Sequence, residues 1–227
     1  MFNLSLPITL SVNVLNVLFW VLAVAPSIII TCLITNKNRH LYFNVIAVFL
    51  CGAAAVFAAG RLELFLKSHW RPTTTAETVA YYFLVVGLVE ELFKWGSCKA
   101  IVVRDGIEHR YEYVIYMVAA ACGFAALENI LYLRTMDISV AIIRAMVSVP
   151  CHAINCVVMG TVIGKSHHYK LSQRIKYNIL GIAAAAFTHG LYDSIIVVTN
   201  SWSWILGFEF IAIAIAVSLI AYVKKTK

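Results

Sequence analysis

Seven apolar stretches, each near the length of about 20 residues that a helix needs to cross a bilayer, follow one another with only short polar connections. They run over 12–34, 41–60, 77–100, 113–133, 138–164, 177–198 and 203–223. Inside lipid every backbone N–H and C=O needs a protein partner, which leaves helices or a closed barrel, and runs this long and continuous read as helices. The spacing predicts an all-α, polytopic membrane helix bundle of about seven transmembrane helices. No polar stretch is long enough for a second domain, so residues 1–227 read as a single integral membrane domain. Composition agrees: 62% hydrophobic and 13% charged residues depart from soluble averages on both counts.

The placement of charge sets orientation and partners. A net charge of +7 in a soluble protein would suggest nucleic acid. Here Lys and Arg sit almost entirely between the apolar stretches, so the expected partner is the lipid bilayer, with no nucleic acid. Twelve of them fall on the side that holds the C-terminal tail and four, Arg61, Lys67, Arg71 and Arg134, on the other. The positive-inside rule then puts the N-terminus outside and the C-terminus in the cytoplasm. Because no basic residue precedes Lys37, the first stretch reads as a retained helix rather than a cleaved signal. The connection 61–76 mixes Leu62, Leu64, Phe65 and Trp70 with charges and reads as an amphipathic turn in the interface. Gly160 with Gly164, and the run Ala183 to Ala186, offer smooth faces for close helix packing.

Within this apolar background the polar residues stand out. They are Glu90, Glu91 and Lys94 in the third stretch, Glu128 and Asn129 in the fourth, Arg144, His152 and Asn155 in the fifth, and His189 and Asp193 in the sixth. Charges at membrane depth are costly, so they face a bundle interior, pair, and mark function. On a helix Lys94 reaches Glu90 at four residues and Glu91 at three, while the two glutamates point about 100° apart. Each also has a bland role: a structural ion pair for Glu90 or Glu91 with Lys94, neutralisation of a glutamate by Arg144, interhelical bridging by Asn129, and a hydrogen-bonded core ring for His152. Pro150 removes the backbone bond to Met146 and loosens the helix where His152 projects. His189 and Asp193, four apart, suit catalysis, metal binding or a proton relay alike.

The chain lacks an H-E-x-x-H helix, a G-x-S-x-G elbow and a phosphate loop. Bond cleavage would fall to a carboxylate acting on water, with imidazoles moving protons or steadying an oxyanion. A proton-coupled transporter would use the same buried carboxylates and histidines. A non-catalytic scaffold is a third class, and a metal on His152, His189 and a glutamate is a variant of the first.

Four motifs resemble those of the PrsW-type intramembrane glutamic proteases, within the CAAX-prenyl endopeptidase-like superfamily. Glu90-Glu91-Leu92-Phe93-Lys94 resembles E-E-x-x-K, and Gly123 to Tyr132 resembles G-F-x-x-x-E-N-x-x-Y. Arg144 through Pro150 and His152 to Gly160 form the third, and His189-Gly190-Leu191-Tyr192-Asp193 resembles H-G-x-Y-D. Phe124 is followed four residues on by Glu128, where the wider superfamily has histidine. The resemblance implies a multi-pass protein of a bacterial cell membrane with its catalytic core at about 77–198. It implies metal-independent cleavage of a membrane-anchored protein, such as the first-site cut of an anti-sigma factor, with no cofactor and no metal ligand. Glu90, Glu91, His152 and His189 would be catalytic, and Lys94, Glu128, Asn129, Arg144 and Asp193 supporting.

Overall fold

A computed structural model describes residues 12–105, 107–132, 137–199 and 201–225. Arg134 and Lys227, counted in the charge balance above, lie outside the described residues. Among those described the chain is helical throughout: α1 (Val12–Thr35), α2 (Tyr42–His69), α3 (Thr75–Tyr81), α4 (Leu88–Asp105), α5 (Arg110–Tyr132), α6 (Ile138–Ile143), α7 (Val149–Gly164), α8 (Leu171–Thr199) and α9 (Trp202–Lys225). A π-helical segment, Tyr82–Gly87, joins α3 to α4, and another, Arg144–Ser148, joins α6 to α7. Seven rods result. Six are long and apolar enough to cross a membrane. The seventh, α3 to α4, has the length but carries Glu90, Glu91, Lys94 and Lys99.

The expected turn at 61–76 is replaced over most of its length by helix, because α2 continues to His69. Between Gly60 and Trp70 the sequence holds no glycine or proline, so nothing stops the backbone ladder. The helix ends ahead of Pro72, which disfavours helical backbone at Arg71, and the chain is already extended at Trp70, with φ −129° and ψ 99°. The next rod starts with a capping box: Thr74 Oγ1 accepts from the Glu77 N–H at 3.2 Å, and Glu77 Oε2 accepts from the Thr74 N–H at 3.2 Å.

At the centre stands α5, buried on all sides from Glu112 to Ala126, as a helix without a polar face must be. Its small residues let α2 and α7 approach at backbone distance. A Cβ on Gly123 would run into the Phe49 carbonyl, and one on Gly52 into the Ala120 carbonyl. On the other side Gly160 faces Val114 and Gly164 faces the Arg110 carbonyl, so the small-residue pair makes the close packing expected of it. In the alanine run Ala185 and Ala186 are buried and Ala183 is exposed. The outer faces of the rods expose large apolar side chains such as Phe43, Leu33 and Phe210, which suits lipid.

Candidate active site

Four rods meet around Lys94. Its ammonium is fully buried and lies 2.7 Å from Glu91 Oε1, 3.2 Å from Glu90 Oε2 and 2.8 Å from His152 Nδ1, with the Phe124 ring 4.7 Å away. An isolated buried charge costs several kcal/mol, and two carboxylates with an imidazole offset that here. The lysine reaches both glutamates, as its spacing on one helix required.

The two glutamates have different surroundings. Glu91 is fully enclosed: Oε1 accepts from Lys94 and lies 2.8 Å from His189 Nδ1, while Oε2 accepts from the Cys156 thiol at 3.5 Å. Glu90 keeps a looser set. Its Oε2 stands 3.8 Å from His152 Nδ1 and 3.8 Å from His189 Nε2, between rings whose centroids are 5.2 Å apart at 88°.

Further contacts hold the histidines. With Nδ1 accepting from Lys94, the hydrogen of His152 sits on Nε2, which faces Glu128 Oε2 at 3.2 Å. Glu128 Oε2 also pairs with Arg144 Nη2 at 2.8 Å, although neither atom is aligned as a hydrogen bond. Arg144 Nε donates to Asn129 Oδ1 at 2.6 Å and its guanidinium covers the Tyr132 ring at 4.3 Å. Asn129 in turn donates to the Ala23 carbonyl of α1 at 3.4 Å, which gives it the bridging role open to it from sequence. Asp193 Oδ2 is 3.5 Å from His189 Nε2, so Glu91 holds that ring more closely than Asp193 does. Nine of the ten polar residues singled out in the sequence thus converge in one cluster. Asn155 lies apart, its amide against the Cys151 sulfur at 3.9 Å.

Two features were missed in the sequence. One is Glu63, which the continued α2 brings within electrostatic range of Glu90, Glu128, Lys94 and His189. Its position three residues past Gly60, in a stretch with no glycine or proline before Pro72, was the available signal. The other is the pair of π-helical segments, each ending within a few residues of site groups: Gly87 before Glu90, and Ser148 before His152. Such segments re-aim side chains and recur at functional sites. Pro150, in the first turn of α7, is the sequence trace of the second.

Comparison with known proteins decides the family. Residues 42–223 match the family described as PrsW family intramembrane metalloprotease. The chain belongs to the PrsW protease family. It is 33% identical over 168 residues to Protease PrsW of Bacillus subtilis (strain 168), covering 74% of each chain. To Protease PrsW of Geobacillus kaustophilus (strain HTA426) it is 31% identical over 170 residues, again 74% of each. To that of Halalkalibacterium halodurans it is 30% identical over 197 residues, 84% of this chain and 86% of the relative. No solved structure matches. The resemblance read from the motifs is therefore sound: this is a multi-pass membrane protein whose PrsW relatives are bacterial.

The family description names a metal, and Glu90, His152 and His189 do offer ligand atoms within 4.8 Å of one another. The donor types suit zinc, but an ammonium already stands among them. Lys94 Nζ already occupies the donor side of both Glu90 Oε2 and His152 Nδ1. A divalent ion bonded at about 2.1 Å to that imidazole nitrogen would sit within about 5 Å of the ammonium. The repulsion would be about 7 kcal/mol at an effective dielectric of 20. A metal on these three residues would have to displace the Lys94 ammonium from Glu90 and His152.

Proposed function

We propose that this PrsW-family protein is a glutamic endopeptidase that hydrolyses a membrane-anchored protein without a metal, an anti-sigma factor at its first site being the class of substrate the motifs imply. The observation that carries this is the division of labour between the glutamates: Glu91 is committed to Lys94 and His189, while Glu90 stands between two imidazoles. A water held by Glu90 gives up a proton to that carboxylate as its oxygen attacks the scissile carbonyl carbon. With both ring nitrogens protonated, His189 would hold Glu91 through Nδ1–H and donate Nε2–H to the oxyanion, a contribution of about 3 kcal/mol for one well-placed donor. Glu90 then returns the proton to the leaving nitrogen, with His152 orienting the water and steadying the transfer. As the C–N bond breaks, a carboxyl and an amine product form.

Lys94, Glu128, Asn129, Arg144 and Asp193 hold this geometry, within a core of about 77–198. A transporter reading has no observation in its favour once the family is known. The metalloprotease reading has one, the three clustered donor atoms, and the same experiment addresses it. Wild type, Glu90→Gln, Glu91→Gln and His152→Ala are purified in detergent and incubated with single-span peptides, and products are read by mass spectrometry with and without chelator. Cleavage by the wild type that survives chelation and disappears in Glu90→Gln is the expected result. Cleavage abolished by chelator and restored by zinc would replace this mechanism with a metal-dependent one, and full activity in Glu90→Gln would remove Glu90 as the base.

A further inference from the structure

Glu63 is a carboxylate that none of the four motifs includes. It sits near the end of α2, and the charged groups acting on it are Glu90 and Lys94 of α4, Glu128 of α5 and His189 of α8. The flanking Leu62 and Leu66 pack with Val89 and Phe93 of α4 and with Phe124 and Leu127 of α5, so this stretch of α2 lies against the helices that carry Glu90, Lys94 and Glu128. Glu63 Oε1 is buried and has no hydrogen-bond partner among the described residues. The neighbouring carboxylates each face a cation: Glu91 and Glu90 meet Lys94, and Glu128 is ion-paired with Arg144 at 2.8 Å.

A buried acceptor with no donor is a net loss to the fold, whereas leucine at this position would extend the run of Leu62, Leu64 and Leu66. The retained carboxylate calls for a donor that arrives with a ligand. Proteolysis supplies one. A bond within a helical span is shielded by the backbone ladder, so it must unwind before water can attack. Unwinding releases N–H groups, which inside the membrane need protein acceptors. Resting on the proteolytic reading above, we propose that Glu63 is a substrate-binding residue: its free carboxylate oxygen accepts a hydrogen bond from a backbone N–H of the unwound peptide beside the scissile bond.

The test measures binding separately from cleavage. The full chain carrying Glu90→Gln is titrated in detergent with a dye-labelled single-span peptide of Leu and Ala interrupted by Gly-Gly at mid-span, and anisotropy is followed. Adding Glu63→Leu weakens binding about tenfold, the effect of losing one buried hydrogen bond. Glu63→Gln, whose amide oxygen still accepts, stays within about threefold, and the unfolding temperature of Glu63→Leu is unchanged or higher. Unaltered binding in Glu63→Leu, equal loss in Glu63→Gln, a lowered unfolding temperature, or failure of the peptide to bind the parent would each overturn the proposal. A second arm keeps Glu90 and follows cleavage of the same peptide by mass spectrometry. There Glu63→Leu raises KM and leaves kcat within twofold. Binding that obeys this pattern with no cleavage by the wild type would sink the proteolytic reading and leave the acceptor role intact.

Discussion

Glu90 and Glu91 are chain neighbours with unequal structural weight, and their variants should separate accordingly. Glu91→Gln leaves Lys94 and His189 short of a buried counter-charge, a loss of about 3–5 kcal/mol for such a pair. Its unfolding temperature in detergent should fall by many degrees. Glu90→Gln removes a carboxylate with longer contacts and should unfold near the wild-type temperature while kcat drops by about 10²–10⁴. If instead Glu90→Gln is the unstable variant and Glu91→Gln the inactive, well-folded one, the roles given above are reversed. The adjacency of the two glutamates was plain in the sequence; which one is enclosed was not, because a 100° step on one helix does not say where the neighbouring helices stand.

At the level of elements, the contact between α2 and α5 is set by two glycines. A Cβ on Gly52 or Gly123 meets backbone that cannot turn aside, whereas nothing lies within 4 Å of a Cβ on Gly60 or Gly207. Gly52→Val and Gly123→Val should each cost several degrees of unfolding temperature or abolish recovery of folded protein, while Gly60→Ala and Gly207→Ala remain near wild type. These two helices carry Glu63 and Glu128, so any residual activity of the valine variants should fall as well. In α9, Glu209 is 95% buried with both carboxylate oxygens lacking hydrogen-bond partners among the described residues. Thermal unfolding should show Glu209→Leu to be more stable by about 1–3 kcal/mol, the usual cost of an unsatisfied buried group; a loss of stability would reveal a partner for it.

For the whole molecule the open quantity is orientation. The excess of Lys and Arg on the C-terminal side predicts a cytoplasmic C-terminus and an external N-terminus. A green fluorescent protein fused after Lys227 should fluoresce, and alkaline phosphatase fused at the same place should be inactive; the opposite pair of results would invert the topology. The catalytic groups would then open toward the outer half of the bilayer, since Glu128 and Asp193, nearest that end of their helices, are the more exposed members of the cluster.

The sequence by itself determined the helix count, because bilayer thickness fixes how long an apolar run must be. It also determined the cast of polar residues, because a charge in an apolar run has few reasons to exist other than pairing or chemistry. Two glutamates three and four residues before Lys94 had to share it, since helical geometry alone brings them together. Only the tertiary structure decided that α2 runs through 61–69 and delivers Glu63. Nothing between Gly60 and Trp70 ends the backbone ladder, yet charged residues in the same stretch read as a turn. Only the structure, too, supplied the π-helical steps before Glu90 and His152 and the pairing of His189 with Glu91. Those depend on how far one helix is rotated against another, a quantity fixed by interhelical packing at Gly52, Gly123, Gly160 and Gly164 rather than by any local run of residues.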